Sequence, residues 1–341
     1  MVRFCETIAR ERPTTLLMLP VSPSAQSETE QRLTAALESA LRPILVFLRD
    51  PKIVEVMANA DGRIWIDRAG EGMRATEVRM GPEDVERVLR LVASRLHVEL
   101  NASAPELCGK LPAPYSARLE ASIPPIVDAP TFALRKPANM VFSLADYLAQ
   151  GVVTPRQHAA LVAAVRDHDN ILIGGGTGSG KTTLANALLQ VVAESDDRVL
   201  MIEDTLELQC SAPNKHHFLV QPPAFSWRRA VMAAMRYRPD RVVVGEVRDG
   251  SALELLKAWN TGHPGGLATI HANDTRAMLD RLCNLIEEVV HPAPRALVAQ
   301  TIGVCVHMRR DRNHPAGRSI SGMDRVCGLT PQGDWHMEPL G

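Results

Sequence analysis

The pattern of apolar positions divides the chain into two parts of different character. Up to about residue 136, apolar residues recur at helical spacing in residues 27–48 and 82–98, and the first stretch opens on the capping-box residues Ser27 and Glu30. Short strand-like runs lie between and after these stretches, at residues 53–58, 63–67, 111–121 and 131–134. This mixture predicts a small α+β domain.

From residue 171 onward, short β-branched runs that are nearly all apolar alternate with helical stretches. Strands are predicted at residues 171–173, 199–202, 242–244, 267–270 and 304–308. Helices are predicted between them at residues 183–192, 250–260 and 275–288, and two further helices precede the alternation at residues 143–149 and 155–167. Strands of this kind are typical of a parallel sheet that is buried on both faces, so the second part is predicted to be an α/β domain.

These patterns predict four segments along the chain. Residues 1–24 contain proline and serine without periodicity, which indicates a flexible extension. Residues 25–136 are the predicted N-terminal α+β domain, residues 137–150 a connector, and residues 151–341 the α/β domain. The length of 341 residues agrees with two domains.

Composition excludes several broad classes of protein. The net charge of -1 gives no reason to expect a nucleic-acid or membrane partner from bulk electrostatics. No apolar stretch approaches the roughly 18 residues of a membrane-spanning helix. Six scattered cysteines without a C-x-x-C pair argue against structural zinc and suit a reducing cytoplasm.

The sequence GGTGSGKT at residues 175–182 carries the clearest chemistry. It fits the phosphate-loop pattern G-x-x-x-x-G-K-[ST], and it lies between a predicted strand and a predicted helix. Backbone N–H groups of such a loop surround phosphate, while the lysine adds charge and the threonine hydroxyl can ligate Mg²⁺. The predicted nucleotide-binding residues are Gly175, Gly176, Thr177, Gly178, Ser179, Gly180, Lys181, Thr182 and Thr183. A plain glycine-rich turn is the alternative.

Acidic residues follow two of the predicted strands. Glu246 comes after the run 241–244, and we predict that it activates or positions water and contributes to Mg²⁺ binding together with Thr182. Glu203 and Asp204 follow the run 199–202, where ligands of parallel sheets bind, and Glu203 is a further candidate for the metal. The alternatives are a surface glutamate and acids that cap a helix.

Two histidines flank the predicted strand 267–270. We predict that His263 and His271 contact the terminal phosphate, with a turn histidine as the alternative for His263. Several arginines precede or follow Glu246 and could either stabilise a phosphoryl-transfer transition state or form a solvated basic face: Arg228, Arg229, Arg236, Arg238, Arg241 and Arg248.

Four ordered segments resemble one family. They are GGTGSGKT, LMIEDTLEL, MRYRPDRVVVGEVRD and TGHPGGLATIHAND, which correspond to that family's Walker A, Asp, Walker B and His boxes. The chain thereby resembles the hexameric secretion ATPases of type IV secretion and conjugation systems, relatives of the type II secretion and type IV pilus ATPases. The resemblance covers about residues 30–310. A four-cysteine metal insert is missing, which favours the conjugation branch.

The resemblance implies a RecA-like second domain that hydrolyses ATP with Mg²⁺, within a ring that is a homo-hexamer. It implies catalytic roles for Lys181, Glu203, Asp204, Glu246, His263 and His271. It also implies that Arg118 and Arg135 reach the nucleotide from the first domain, although residues 115–117 replace the usual glycine turn. Arg248-Asp249-Gly250 departs from the usual R-G-G.

The implied setting is the cytoplasmic side of an inner membrane. The protein would associate there peripherally with membrane components of a secretion or conjugation complex, and we predict no direct nucleic-acid binding. Three alternatives stay open: an ATPase of a type II secretion or type IV pilus system, a RecA-like motor stimulated by nucleic acid, and a nucleotide-gated scaffold without turnover.

Overall fold

Strands of the chain form two separate sheets. The computed structural model describes residues 23–68, 71–137, 142–311 and 313–341. Within these ranges, a six-stranded sheet uses strands between residues 53 and 135, and an eight-stranded sheet uses strands between residues 171 and 339. The predicted α/β class, with a smaller α+β domain placed first, is confirmed. The flexible extension predicted for residues 1–24 lies almost entirely outside the described residues, as does the middle of the predicted connector.

The first sheet is antiparallel and has the strand order β3-β2-β1-β6-β5-β4. Its apolar face packs against helices around the fully buried residues Leu41, Ile44, Leu89 and Leu134. The elements of this part are α1 (Pro23–Ala40), a 3-10 turn (Arg42–Ile44), α2 (Leu45–Arg49), β1 (Ile53–Ala58), β2 (Arg63–Arg68), β3 (Gly72–Arg79), α3 (Pro82–Leu96), β4 (Glu106–Lys110), β5 (Arg118–Ser122) and β6 (Thr131–Arg135).

Three details of this part differ from the sequence-based predictions. The helix expected to reach residue 48 ends at Ala40, because Pro43 cannot donate its backbone nitrogen and disfavours a helical residue before it. Of the strand expected over residues 111–121, only the end from Arg118 forms a strand, since residues 111–117 connect β4 to β5. Strand β3 was not predicted, because its mostly exposed residues show no apolar alternation.

The second sheet has the order β14-β13-β12-β7-β11-β10-β8-β9. The six strands β12, β7, β11, β10, β8 and β9 run parallel to one another. Strands β13 and β14 extend the sheet beyond β12 and are antiparallel to their neighbours. The elements are α4 (Leu144–Ala149), α5 (Pro155–Arg166), β7 (Ile171–Gly175), α6 (Lys181–Val192), β8 (Val199–Glu203), β9 (Lys215–Leu219), α7 (Trp227–Arg236), β10 (Arg241–Val244), α8 (Ala252–Asn260), β11 (Leu267–Ile270), α9 (Thr275–Glu287), α10 (Arg295–Thr301), β12 (Val304–Arg310), β13 (Arg318–Leu329) and β14 (Trp335–Pro339).

Strand β7 lies inside the sheet and is buried on both faces. Ile171 and Ile173 pack into the apolar cluster on one face together with Leu184 and Leu188 of α6, whereas Leu172 packs into the cluster on the other face. Full burial of a side chain of this size stabilises the fold by roughly 1.5–3 kcal/mol. The end of β7 and the start of α6 are therefore fixed by packing on both faces of the sheet.

Among the described residues, no helix combines the length and the apolar character needed to cross a lipid bilayer.

Candidate functional site

The loop of residues 176–180 joins the buried strand β7 to the start of helix α6. Gly175 has φ +147° and Gly180 has φ +98°, both in the region that side-chain-bearing residues avoid. Thr182 and Thr183 follow Lys181 in the first turn of α6, while Gly176, Thr177 and Gly178 are exposed. The N–H groups at the start of this 12-residue helix have no partner within the helix and favour a bound anion.

The interior of the loop leaves no room for side chains at its base. A Cβ added at Gly175 would overlap the carbonyl oxygen of Met308 and lie 2.5 Å from Ser179 Oγ. The Ser179 side chain is 2% exposed, and its hydroxyl has no hydrogen-bond partner within the described part of the chain. A tightly wound glycine backbone with an unpartnered buried hydroxyl fits a phosphate-sized ligand.

Lys181 lies inside this loop. Its Nζ donates hydrogen bonds to the carbonyl oxygens of Gly175 at 2.9 Å and Gly176 at 3.0 Å. Burial lowers the pKa of Lys181, and the nearby carboxylate of Glu246 opposes that shift. Because an ammonium group has three donors, two carbonyl contacts leave one donor for a ligand.

A group of charged side chains lies beside the loop, where the parallel strands end. Glu246 Oε1 is 3.0 Å from His271 Nε2, and Glu246 Oε2 accepts from Arg248 Nη2 at 2.7 Å. The same guanidinium donates through Nη1 to Asp204 at 2.6 Å. The order β7-β11-β10-β8 explains this cluster, because neighbouring parallel strands end at one edge of the sheet. The structure therefore brings four of the predicted or candidate residues together.

Burial lowers the pKa of His271, and the charge of Lys181 lowers it further, while Glu246 acts in the opposite direction. The neutral imidazole is therefore favoured near neutral pH. A neutral His271 has one ring nitrogen that donates and one that accepts, so it can hold the carboxylate of Glu246 without adding a second full charge.

Glu203 has a different environment from Asp204. It is 3% exposed, its oxygens accept from the backbone N–H groups of Glu207 at 2.9 Å and Leu208 at 3.0 Å, and His217 Nε2 lies 2.8 Å from Oε1. These contacts fold the segment after β8 back onto the strand end. They give Glu203 a structural role and do not support the magnesium contact predicted for it.

His263 is not brought to the loop within this chain, so its predicted phosphate contact stays a prediction. Its Nδ1 lies 2.8 Å from the carbonyl oxygen of Pro239, which precedes β10. His263 precedes β11 and His271 follows it, so the two histidines lie at opposite ends of a strand that pairs in parallel with β7. Arg241 is likewise at the far end, where its Nε donates to Asp197 at 2.6 Å.

Arg118 and Arg135 lie side by side in the first sheet. A charged rung, which we define as Asp67, Glu55, Arg135 and Arg118, crosses β2, β1, β6 and β5 as directly opposed partners. Directly opposed residues share one face of a sheet. Arg135 Nε lies 3.8 Å from Glu55, and the positive charge of Arg135 helps to lower the pKa of Lys181. The Asp67 end of the rung lies beside the loop, because Arg310 contacts both Asp67 at 3.8 Å and the Gly178 carbonyl oxygen at 3.2 Å.

Sequence reasoning missed three residues next to this site. Arg310 Nε donates to the Gly178 carbonyl at 3.2 Å, and the side chain of Arg318 packs against Gly180. His307 Nε2 lies 3.1 Å from the carbonyl oxygen of Ala272, next to His271. No motif marks them, because they belong to β12 and β13, which reach the loop only in three dimensions.

Comparison with known proteins gives a consistent result. The family model described as "Type II/IV secretion system protein" matches residues 38–319. "Conjugal transfer protein TrbB" from Rhizobium radiobacter is 42% identical over 288 residues, which is 84% of this chain and 88% of that protein. "Probable conjugal transfer protein TrbB" from Sinorhizobium fredii is 40% identical over 304 residues, covering 88% of this chain and 92% of that protein.

Among solved structures, the pilus retraction motor PilT shares the fold with a TM-score of 0.63 at 18% identity, over 87% of this chain and 84% of that chain. The fold and the site together define a two-domain protein with a RecA-like phosphate-loop domain. The chain belongs to the type II/IV secretion system protein family.

Proposed function

We propose that this protein is an Mg²⁺-dependent ATPase that powers a type IV secretion or conjugal DNA transfer apparatus. The observation that carries the proposal is the meeting of the phosphate loop with the group Asp204, Glu246, Arg248 and His271 at one edge of the sheet. The loop supplies a place for phosphate, and the group supplies the half-buried carboxylate of Glu246 beside it. The two relatives named for conjugal transfer support the choice of apparatus.

ATP is the substrate of this site. Its phosphates would lie against the N–H groups of residues 176–180 and of the first turn of α6, with Lys181 as the nearest positive charge. Thr182 and Glu246 are the side chains that would hold Mg²⁺, and the ion supplies charge neutralisation on the phosphate oxygens when it is bound. A buried unpartnered hydroxyl on Ser179 and a lysine with a spare donor make the loop suited to phosphate.

Glu246 is the residue that would position water for attack on the terminal phosphate. Arg248 and His271 hold its two oxygens, which fixes the direction of the carboxylate, yet a carboxylate has about four acceptor sites and can bind water as well. The neutral His271 keeps a donor at the carboxylate while Glu246 accepts a proton from that water.

The first domain would contribute positive charge from across the cleft. Arg135 is held near the loop by Glu55 and acts electrostatically on Lys181, so a small shift of the first sheet would change the charge around the phosphates. We propose that hydrolysis is coupled to a hinge motion of the two domains near residues 137–150, within a ring-shaped homo-hexamer. The ring would associate peripherally with inner-membrane components from the cytoplasm.

The proposal is tested by two measurements on the full chain. Phosphate release from ATP should require Mg²⁺ and should stop when EDTA is added, because Mg²⁺ neutralises charge that the protein alone does not. The mass in solution with Mg-ATP should correspond to a multiple of the chain. A strict monomer with no phosphate release would contradict the proposal, and turnover that rises only with single-stranded DNA would favour a nucleic-acid motor.

Replacing Arg135 with alanine should lower kcat/KM for ATP by about tenfold, since a charge-assisted contact to phosphate is stronger than a neutral one. Steady-state phosphate release at varied ATP concentration measures this. Arg74→Ala is the matched control, because Arg74 lies in the same sheet with an exposed partner, Glu71, at 3.2 Å. Equal rates for Arg135→Ala and the control would reject the role of Arg135.

A further inference from the structure

Arg310 joins the phosphate loop to the charged rung of the first sheet. Its Nε donates to the carbonyl oxygen of Gly178 at 3.2 Å, and its Nη2 lies 3.8 Å from Asp67 Oδ2. The Arg310 side chain is 63% exposed, whereas that of Asp67 is 18% exposed. One guanidinium thus touches both the loop and the sheet that faces it.

The fold places Arg310 there through the register of β12. This strand pairs in parallel with β7, with Met308 opposite Gly175, and it continues two residues beyond that pair. Arg310 therefore lies above the loop that follows β7. The packing is close, because a Cβ added at Gly178 would lie 3.0 Å from Arg310 Nη2.

The guanidinium is only partly used by these contacts. It carries five N–H donors in a planar fork that matches phosphate oxygens. One donor binds Gly178, and the contact with Asp67 is long for an ion pair. Several donors are therefore left for a ligand in the loop, where phosphates would lie under the proposed function.

Asp67 is a weak partner for Arg310, at 3.8 Å. It lies directly opposite Glu55 across β1 and β2, and like charges in opposed positions destabilise a sheet. Arg310 offsets this repulsion at one end of the rung, as Arg135 does for Glu55. A ligand with more negative charge than a single carboxylate can therefore compete with Asp67 for the same guanidinium.

We propose that Arg310 is a nucleotide-binding residue and that Asp67 pairs with it while no nucleotide is bound. With the loop empty, Arg310 rests against Asp67. With phosphates in the loop, the guanidinium exchanges the Asp67 carboxylate for phosphate oxygens, and the first sheet loses this contact. The inference rests on the proposed function, and it makes the first sheet and the nucleotide competitors for one charge, so that each affects the other reciprocally.

The test is a double-mutant cycle on the full chain, with Mg-ADP as the probe and calorimetry as the readout. Arg310→Ala should weaken Mg-ADP binding by about tenfold, because a charge-assisted contact is lost. Asp67→Asn should tighten binding by about threefold, because a competing, long ion pair is removed. In the Arg310→Ala background, Asp67→Asn should change nothing. A purely structural pair would instead weaken binding in both single variants.

The matched control is Arg309→Ala. Arg309 precedes Arg310 on β12, its Nη2 lies 3.5 Å from Asp311, and it carries the same charge. The Arg309→Ala protein should bind Mg-ADP as the wild type does. Arg310→Lys keeps the positive charge but lacks the planar set of guanidinium donors, so it should weaken Mg-ADP binding by about threefold. This variant tests the role of Arg310 if Arg310→Ala fails to fold.

Two results would overturn the inference and leave the proposed function intact. The first is wild-type affinity for Mg-ADP in Arg310→Ala, or in Arg310→Lys if the alanine variant does not fold. The second is an effect of Asp67→Asn on Mg-ADP affinity that persists in the Arg310→Ala background. The second would mean that Asp67 acts through Glu55 and Arg135. Failure of the wild type to bind Mg-ADP would instead contradict the proposed function.

Discussion

Replacing Lys181 with alanine is expected to lower ATP turnover by about a hundredfold or more, the size found when one donor to a developing anion is removed. Lys181 is the buried cation of the loop, and its Nζ is held by the carbonyls of Gly175 and Gly176. Alanine removes both the charge and the donor that faces the ligand. Phosphate release at saturating Mg-ATP measures the effect.

The control for this variant is Lys257→Ala, which removes an exposed lysine in the last turn of α8. That protein should turn over ATP at the wild-type rate. Far-ultraviolet circular dichroism shows whether both variants keep the fold. A folded Lys181→Ala protein that releases phosphate at the wild-type rate would show that ATP is not hydrolysed at this site.

Replacing Glu246 with glutamine should separate binding from chemistry. Turnover should fall by about 10²–10⁴-fold, because an amide cannot accept the proton of the attacking water. Mg-ATP binding should stay within about threefold, since the glutamine oxygen can still accept from Arg248 and its amide nitrogen can face His271. Single-turnover hydrolysis and equilibrium titration with a fluorescent ATP analogue measure the two quantities.

Glu77→Gln is the control for this change of charge, because Glu77 is an exposed residue of β3. It should hydrolyse and bind as the wild type does. If Glu246→Gln lowered Mg-ATP affinity and turnover by the same factor, Glu246 would be a nucleotide-binding residue and some other group would activate water. If turnover were unchanged, the carboxylate would have no part in the reaction.

The loop and the cluster around Glu246 could be predicted because their signals are local. The glycines and Lys181 lie in one short segment between a strand and a helix, and Glu246 and His271 each follow an apolar strand. Parallel strands place such residues at one edge, so order along the chain was enough. The same rule, applied strictly, would have placed His263 at the opposite edge, since it precedes β11.

Other parts depend on contacts between residues far apart in the chain. Arg310 and Arg318 are ordinary arginines in sequence, and only the hairpin of β12 and β13 carries them over the loop. Strand β14 and strand β9 occupy the sheet edges, where half-exposed positions weaken the apolar pattern. The burial of Glu203 by backbone donors likewise has no signature in sequence.

The charged rung has a consequence for how this protein tolerates change. Its four side chains share one face of the sheet only because the pairings of β2, β1, β6 and β5 are in one register. A one-residue insertion within β1 would turn Glu55 toward the apolar side and carry a core residue such as Val56 outward. Length variation among relatives should therefore collect in the connecting turns, while the lengths of these four strands stay constant.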